Sequence, residues 1–283
     1  MLPTSETRVS PRFEDLWPGR RFTGRPRHLD AAAVAEFAAV TGDRSPLHLE
    51  EGHTPDGRPL VHGAFVAAGF FGWLHDTGLA EHVEAALDMS WDFRAPVYTG
   101  DSVTYEMTVT RCRRTSSGQT GVVGRYVLVR NQDGRVVCEG RTSALVRTRE
   151  PGDGGRTGAE FPTVRWARRL AERLDASPAF AEATGTWDGT IGLGFADDVV
   201  LFRIYRGRVL DAGGRVPNGP TFVLGATDLT WTELLTGPEN DYMARTMRGQ
   251  FSTSGDAYSS VRMTAAVVAM IDEARELVRE AVR

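Results

Sequence analysis

The chain has 283 residues, and all 33 of its Lys+Arg positions are arginine. Because there is no lysine, the sequence excludes a Schiff-base lysine, a pyridoxal-phosphate lysine and the lysine of a nucleotide-binding P-loop. The two cysteines, Cys112 and Cys138, are too few for a disulfide scaffold or a cysteine-rich zinc site, and we predict neither a metal nor a cofactor. The net charge of −4, with both signs interspersed, argues against nucleic acid as a partner.

The sequence also predicts where the protein resides. No run approaches the roughly 20 apolar residues of a membrane span, and the N-terminal segment lacks the apolar core of a signal peptide. The scarcity of cysteine fits a reducing compartment. We therefore expect a soluble, cytoplasmic protein.

A segment rich in glycine, proline and charge predicts two domains. Residues 149–160 read REPGDGGRTGAE and contain no large apolar side chain, which is typical of a linker. We place the domains at 1–148 and 161–283. All six histidines precede residue 83, so histidine-dependent acid–base chemistry is expected in the first domain and ligand binding in the second.

In chain order, residues 20–29 predict an edge strand, and Asp30 is the expected N-cap of a helix that ends at Gly42. The next residues are Asp43-Arg44-Ser45-Pro46-Leu47-His48. We expect Pro46 to prevent a helix, so that Asp43 and His48 lie on an irregular loop where their side chains can converge.

A central helix and an antiparallel sheet are predicted next. Residues 61–74 are apolar on all sides, which indicates a helix buried within the core. Four β-rich runs follow, at 90–98, 101–112, 121–131 and 135–147, joined by turn signals. The predicted first domain is an antiparallel sheet wrapped round this helix, and the fold class is α+β.

Three blocks of the first domain carry a family resemblance. The runs TGDRSPLHLE, GRPLVHGAFVAAG and WDFRAPVYTGDSV occur in this order within residues 12–148. Together they resemble the MaoC-type hotdog-fold family of (R)-specific enoyl-thioester hydratases and dehydratases. The resemblance implies that Asp43 and His48 are the catalytic acid–base pair. It also implies an acyl-CoA or acyl-carrier-protein thioester substrate and a homodimer.

Further site residues follow from position. Gly63 opens the central helix, where an outward N–H can stabilise the oxygen of a thioester enolate. Ser45, which replaces the usual asparagine of the motif, and His62 are expected to support the loop. The remaining candidates are Phe70 and Phe71 for the acyl pocket, and Arg44 and Arg58 for phosphate binding.

The second half predicts helices and strands with an apolar interior. A helix from Phe161 has an inner face at Val164, Ala167, Leu170, Ala171 and Leu174. Strands are predicted at 190–195, 199–207 and 221–227, followed by a helix at 229–237 with Thr230 and Glu233 spaced as a capping box. A long C-terminal helix has an apolar face that includes Val261, Ala265, Val268, Ile271 and Val278.

Residues 161–283 resemble a sterol-carrier-protein-2-like domain. The resemblance depends on Leu234, Leu235, Thr236, Gly237, Met247, Gly249, Phe251, Gly255 and Asp256. It implies a domain that binds fatty-acyl or sterol-like ligands in an apolar tunnel and needs no catalytic group. The expected α/β domain would hold a hydrophobic lipid or polyketide chain.

Three functions are consistent with the sequence. The leading hypothesis is reversible hydration of a hydrophobic 2-enoyl thioester, or dehydration of the 3-hydroxyacyl thioester. The second is a polyketide-tailoring enzyme that uses the same pair for intramolecular conjugate addition or another cyclisation. The third is a non-catalytic lipid-binding protein. The sequence leaves open the acyl chain, the thioester carrier and the preferred direction.

Overall fold

The chain forms two compact units in the computed structural model, which describes residues 10–151, 158, 160–196, 198–216 and 219–282. Most of the first unit consists of Arg20–Val109 and Val122–Arg149, and most of the second of Thr110–Gly121 and Glu150–Arg283. Much of the expected linker, residues 152–157 and 159, lies outside the described residues. The exact domain boundaries therefore remain a prediction.

The first unit contains a sheet and a central helix, as predicted. The sheet has the order β1-β4-β5-β6-β3, with β2 also on β4; β1 and β2 pair antiparallel with β4, and β3 pairs antiparallel with β6. Its elements are β1 (Arg21–Thr23), β2 (Arg27–His28), α1 (Ala31–Thr41), α2 (Pro46–Leu49), α3 (Gly63–Asp76), β3 (Val83–Phe93), β4 (Ser102–Arg114), β5 (Thr120–Asn131) and β6 (Val136–Arg147).

The two short helices show one correct and one wrong prediction. Asp30 caps α1 by accepting a hydrogen bond from the Ala33 N–H at 2.8 Å, and Gly42 ends it at φ 80°, as expected. The prediction of an irregular loop is wrong at His48, which lies in α2. Pro46 occupies the first turn, where its missing N–H would have no intrahelical partner anyway, so it starts this helix instead of preventing it.

The prediction that α3 is buried on all sides is also wrong. Val66, Phe70, Trp73 and Leu74 are buried against the sheet, whereas Ala64 and Ala68 are exposed. The exposed face carries small apolar side chains, so its composition is the same as that of a buried face. The strand expected at 90–98 lies instead at Val83–Phe93, and most of its residues are exposed.

The close approach of α3 to β4 gives a stability prediction. A Cβ added at Gly69 would lie 2.2 Å from the Tyr105 hydroxyl oxygen, which donates to the Val66 carbonyl at 2.8 Å. Gly69→Ala should therefore lower the free energy of unfolding by about 1–3 kcal/mol, since overpacking exceeds the usual gain of about 1 kcal/mol from alanine in a helix. Urea unfolding measures the difference.

Gly72 on the same helix provides the matched control. A Cβ there meets only the end of the Arg27 side chain, at 3.4 Å. Gly72→Ala should be neutral or stabilising. If both substitutions changed the free energy of unfolding equally, the proposed clash with Tyr105 would be wrong.

The second unit is an α/β fold with a mixed sheet. The sheet order is β11-β10-β7-β8-β9, with β10 parallel to β7 and the other neighbours antiparallel. Its elements are α4 (Val164–Ala176), α5 (Pro178–Thr184), β7 (Asp188–Phe195), β8 (Asp198–Tyr205), β9 (Arg208–Gly213), β10 (Phe222–Ala226), α6 (Asp228–Thr236), α7 (Tyr242–Met247), β11 (Ser252–Gly255), α8 (Ala257–Arg262) and α9 (Thr264–Val282).

Several details of the second unit differ from the predictions. The single C-terminal helix is two, α8 and α9, and the break at Met263 leaves Val261 and Ala265 exposed. The start of α6 is capped by Thr227, whose hydroxyl accepts from the Thr230 N–H at 3.2 Å. The capping box predicted at Thr230 and Glu233 therefore lies one turn after the true N-cap.

Two further differences concern α4 and the sheet. Val164 begins α4 and is exposed, while the bulkier Trp166 beside it is buried. Strand β9 was not predicted, because its run RVLDAG alternates only briefly. None of the helices among the described residues combines the length and the apolar character that a membrane span requires.

Candidate active site

Three polar side chains of the first unit converge where α1, α2 and α3 meet. Asp43 follows α1, His48 lies in α2, and His62 is the N-cap residue of α3. The Nε2 atoms of both histidines lie 3.8 Å from the same Asp43 oxygen, Oδ2. The two imidazole rings are stacked, with centroids 3.7 Å apart. The predicted catalytic pair is thus brought together, with His62 beside it.

A backbone carbonyl orients His48. Its Nδ1 lies 2.7 Å from the Leu60 carbonyl oxygen, which can only accept, so Nδ1 carries a proton and donates. The other ring nitrogen, Nε2, therefore faces Asp43 and is available for proton transfer. The His48 side chain is only 13% exposed, whereas that of Asp43 is 55% exposed. The pair thus joins a sheltered imidazole to a carboxylate open to solvent.

His62 holds the backbone of Asp43 in place. Its Nε2 donates to the Asp43 carbonyl at 3.0 Å, and its side chain is only 4% exposed. The ring of Phe37 packs against the imidazole in a T-shaped arrangement, with centroids 5.2 Å apart. Among the described residues, the buried Nδ1 has no hydrogen-bond partner. These contacts agree with a supporting role, and Ser45 adds to it by capping α2 at Leu47 N, 3.4 Å away.

The gap between Asp43 and His48 has the size that one small ligand oxygen requires. At 3.8 Å the Oδ2 and Nε2 atoms are too far apart for a direct hydrogen bond. An oxygen at about 2.8 Å from each would bridge them. Water or a substrate hydroxyl placed there would contact both groups at once.

Gly63 lies at the start of α3, as expected for an N–H that receives a thioester oxygen. Being the first helical residue, it has no intrahelical acceptor, and its N–H lies at the positive end of the helix. A Cβ at this position would lie 2.9 Å from ring atoms of Phe93 on β3. Glycine therefore allows Phe93 to lie over the helix start. The sequence contained Phe93 within the third motif block but assigned it no role.

The two candidate phosphate ligands differ in their surroundings. Arg58 donates to Asp56 and, at 2.9 Å, to Asp101, and both carboxylates raise the pKa of its guanidinium. It also lies over the Tyr98 ring. Arg44 is exposed, and the described residues offer its side chain no ion pair. Arg44 is therefore the better placed of the two to bind an external anion.

Phe70 and Phe71 occupy different environments. Phe70 is fully buried, and its ring packs among Trp73, Trp91 and Tyr105. Phe71 is only partly buried, with its ring at 5.4 Å from Phe70. Phe70 therefore belongs to the core of the first unit, and the assignment of both residues to an acyl pocket remains a prediction.

The site has the side chains for a metal, although one ring nitrogen of each histidine already makes a hydrogen bond. In the described part of the chain, Asp43, His48 and His62 form the one cluster of potential ligands. His62 Nε2 is used by the Asp43 carbonyl and His48 Nδ1 by Leu60. The absence of a metal requirement remains a prediction.

Burial raises the pKa of Cys138 to about 12, so its thiol stays protonated near neutral pH.

Comparisons with known proteins identify the first unit. Residues 16–131 match the family model described as MaoC like domain. An (R)-specific enoyl-CoA hydratase of Aeromonas caviae is 40% identical over 90 residues, which are 31% of this chain and 66% of that protein. A 3-hydroxybutyryl-CoA dehydratase of Methylorubrum extorquens is 34% identical over 100 residues, 34% of this chain and 62% of that protein.

Solved structures include proteins similar to parts of this chain. The (R)-hydratase from A. caviae involved in PHA biosynthesis is 30% identical, with a TM-score of 0.40, and the match covers 46% of this chain and 96% of that one. Sterol carrier protein 2 is 24% identical, with a TM-score of 0.37, and the match covers 41% of this chain and 98% of that one.

The chain therefore contains a MaoC-like domain whose relatives include (R)-specific enoyl-CoA hydratases. The matched segments span just under two thirds of the first two curated relatives, 66% and 62% of their lengths. The predicted family resemblance of the first half is confirmed.

Proposed function

We propose that the first unit catalyses the reversible addition of water to a 2-enoyl thioester. The observation that carries this proposal is the pairing of Asp43 Oδ2 with His48 Nε2 across 3.8 Å, next to the N-terminus of α3. Hydration requires a base for water and an acid for the α-carbon, and these two side chains supply both. Two relatives that match this domain are named as an (R)-specific enoyl-CoA hydratase and a 3-hydroxybutyryl-CoA dehydratase.

The proton inventory of the pair balances. The proposed cycle starts with a proton on His48 Nε2 and none on the Asp43 carboxylate, while His48 Nδ1 donates to the Leu60 carbonyl throughout. Water in the gap gives one proton to Asp43 as its oxygen bonds to the β-carbon, and His48 Nε2 gives its proton to the α-carbon. One proton then returns from Asp43 to His48 as the 3-hydroxyacyl thioester leaves. Dehydration is the same sequence reversed.

The start of α3 completes the proposed chemistry. As the α,β-double bond is attacked, negative charge develops on the thioester oxygen. The Gly63 N–H, at the positive end of the helix, would donate to that oxygen. Arg44 would bind a phosphate of the CoA or carrier-protein arm, since its guanidinium offers planar paired donors to an anion.

An absorbance assay tests the proposal. Hydration removes the conjugated double bond of a 2-enoyl-CoA, so the absorbance of the enoyl thioester should fall when the protein is added. We expect turnover with at least one substrate in a series of increasing chain length. No loss of conjugation with any chain, from either CoA or carrier-protein thioesters, would refute the proposed activity.

The other two hypotheses make different predictions for the same assay. Cyclisation would need a substrate whose own hydroxyl occupies the gap between Asp43 and His48, and it would proceed without incorporation of solvent oxygen. A non-catalytic lipid-binding protein would show no turnover that depends on Asp43. No observation in the described structure favours either hypothesis over hydration.

A homodimer of the first unit is also proposed. Strand β3 lies at one end of the sheet order, and its exposed apolar residues include Leu87, Met89 and Phe93. Such an edge is a template for pairing with another strand. Exposed Ala64 and Ala68 add a second small apolar face. Light scattering should give twice the chain mass, and Met89→Glu should reduce it to the monomer mass.

For the second unit we propose lipid binding. Its motif residues Leu234 and Leu235 are buried in α6, and Gly249, in the turn after α7, and Gly255, at the end of β11, adopt positive φ angles of 72° and 92°. Displacement of a fluorescent fatty acid by acyl chains would test binding directly. A cytoplasmic location and a domain boundary within 149–160 complete the proposal.

A further inference from the structure

One arginine of the first unit is buried, and the described residues offer it no hydrogen-bond acceptor. Arg125 lies on β5, where buried residues alternate, and it shares its face with Val123 and Val127. Only 6% of the residue is exposed. Its Nε is sealed from solvent and, among the described residues, has no hydrogen-bond partner.

The surroundings of Arg125 are apolar, with one further unpaired group. Its guanidinium carbon lies 5.9 Å from the centre of the Phe70 ring. On β6, the strand next to β5, the hydroxyl oxygen of Thr142 is also buried and, among the described residues, unpaired. Burial lowers the pKa of Arg125 to about 10, and Asp88 partly offsets this effect. The side chain is therefore still a cation at neutral pH.

Asp88 does not provide the missing hydrogen bond. Its carboxylate accepts from the Ser143 hydroxyl, and it acts on Arg125 only through its charge. A guanidinium has five N–H donors, and native proteins pair nearly all buried polar groups. An apolar residue of similar length would pack on this face without an unpaired charge. The buried and unpaired Nε–H therefore indicates an acceptor that comes from outside the chain.

The position of Arg125 relates it to the proposed active site. Phe70, which it contacts, lies seven residues after Gly63 on α3, or roughly 10 Å along the helix axis at the usual rise per residue. An acyl chain whose thioester oxygen lies at Gly63 would span this distance with about its first eight carbons.

We infer that Arg125 is a specificity-determining residue that binds an oxygen acceptor near the distal end of the acyl chain, a carboxylate or a ketone. This inference rests on the proposed function, because it takes the chain to run along α3 from Gly63. A plain alkyl chain would leave the guanidinium unpaired, whereas an oxygenated chain would pair it. The preferred substrate is thus an oxidised acyl thioester.

Binding of saturated acyl thioesters tests the inference without requiring turnover. Isothermal titration would compare octanoyl-CoA with octanedioyl-CoA and 7-oxooctanoyl-CoA, which carry a carboxylate and a ketone. We expect wild type to bind at least one oxygenated chain about 10-fold more tightly, the size of one hydrogen bond to a charged group. The oxygenated thioester with the larger gain in affinity over octanoyl-CoA shows whether the preferred acceptor is a carboxylate or a ketone.

Variants assign the preference to Arg125. Arg125→Met should reduce the ratio of the dissociation constants to about one, and Arg125→Lys should keep part of it. Arg130→Met is the matched control, since Arg130 lies on the same strand but is paired with Glu106 at 3.1 Å. It should keep the full ratio.

Three outcomes would overturn the inference. In the first, wild type binds octanoyl-CoA as tightly as the oxygenated thioesters or more tightly, a result that requires no variant. In the second, Arg125→Met keeps the full preference, and in the third, the protein binds none of the three thioesters. The enoyl forms of the same chains separate this inference from the proposed function. A binding preference that depends on Arg125 without any hydration would refute the activity and keep the role of Arg125.

Discussion

Asp43→Asn is expected to lower kcat/KM for 2-enoyl thioester hydration by about 10²–10⁴-fold, the usual contribution of a positioned acid or base. The amide that replaces the carboxylate cannot accept the proton of water, although it keeps the shape of the side chain. His48→Ala should cause a loss of similar size, because it removes the Nε2 donor that faces Asp43 Oδ2 at 3.8 Å. Steady-state rates on the best enoyl-CoA measure both effects.

The double variant shows whether the residues act as a pair. If one proton moves between them, Asp43→Asn combined with His48→Ala should be about as slow as either single variant. His53→Ala is the matched control, since His53 is exposed and bonds only Glu50, at 3.1 Å, among its described neighbours. Equal rates for wild type and both single variants would exclude the proposed mechanism.

His62→Ala is expected to lower kcat by about 10–100-fold with little change in KM. Its Nε2 donates to the Asp43 carbonyl at 3.0 Å, and its ring stacks on His48 at 3.7 Å, so its loss loosens both members of the pair. Small displacements of reacting groups cost rate in this range. Both kinetic constants should be measured at saturating and low substrate.

A conservative variant separates positioning from simple folding. His62→Gln retains an N–H donor for the Asp43 carbonyl and should recover part of kcat, whereas a purely structural role would not produce this order. His75→Ala is the control, because His75 is an exposed residue in the last turn of α3. An unchanged kcat in His62→Ala would show that His62 does not position the pair.

The sequence predicted the main residues of the site because the motif blocks preserve their order and spacing. Asp43 and His48 converge as expected, and Gly63 begins α3 as expected. The sequence could not identify Leu60, because its contribution is a backbone carbonyl that any residue could supply. The sequence also could not show that Arg58 is already paired, because only the folded chain places it against Asp101, 43 positions away.

The accuracy of the element predictions depended on whether the signal was local. Asp30 and Gly42 were recognised because capping is a local interaction between a side chain or a backbone turn and the adjacent helix end. The exposed stripe of α3 was missed, because burial of a helix face depends on which elements cover it. The break between α8 and α9 was missed because α-helix periodicity continues across Met263 in sequence.

The sequence by itself determined the MaoC-like character of the first half, the mixed helix and strand content of the second, the caps of α1 and the convergence of Asp43 with His48, since these depend on residue type and spacing. Only the tertiary structure decided that His48 faces Asp43 through Nε2, that His62 supports the Asp43 backbone, and that Arg125 is buried with no acceptor among the described residues. The physical reason is that hydrogen-bond partners and burial are set by distant segments, which no local pattern specifies.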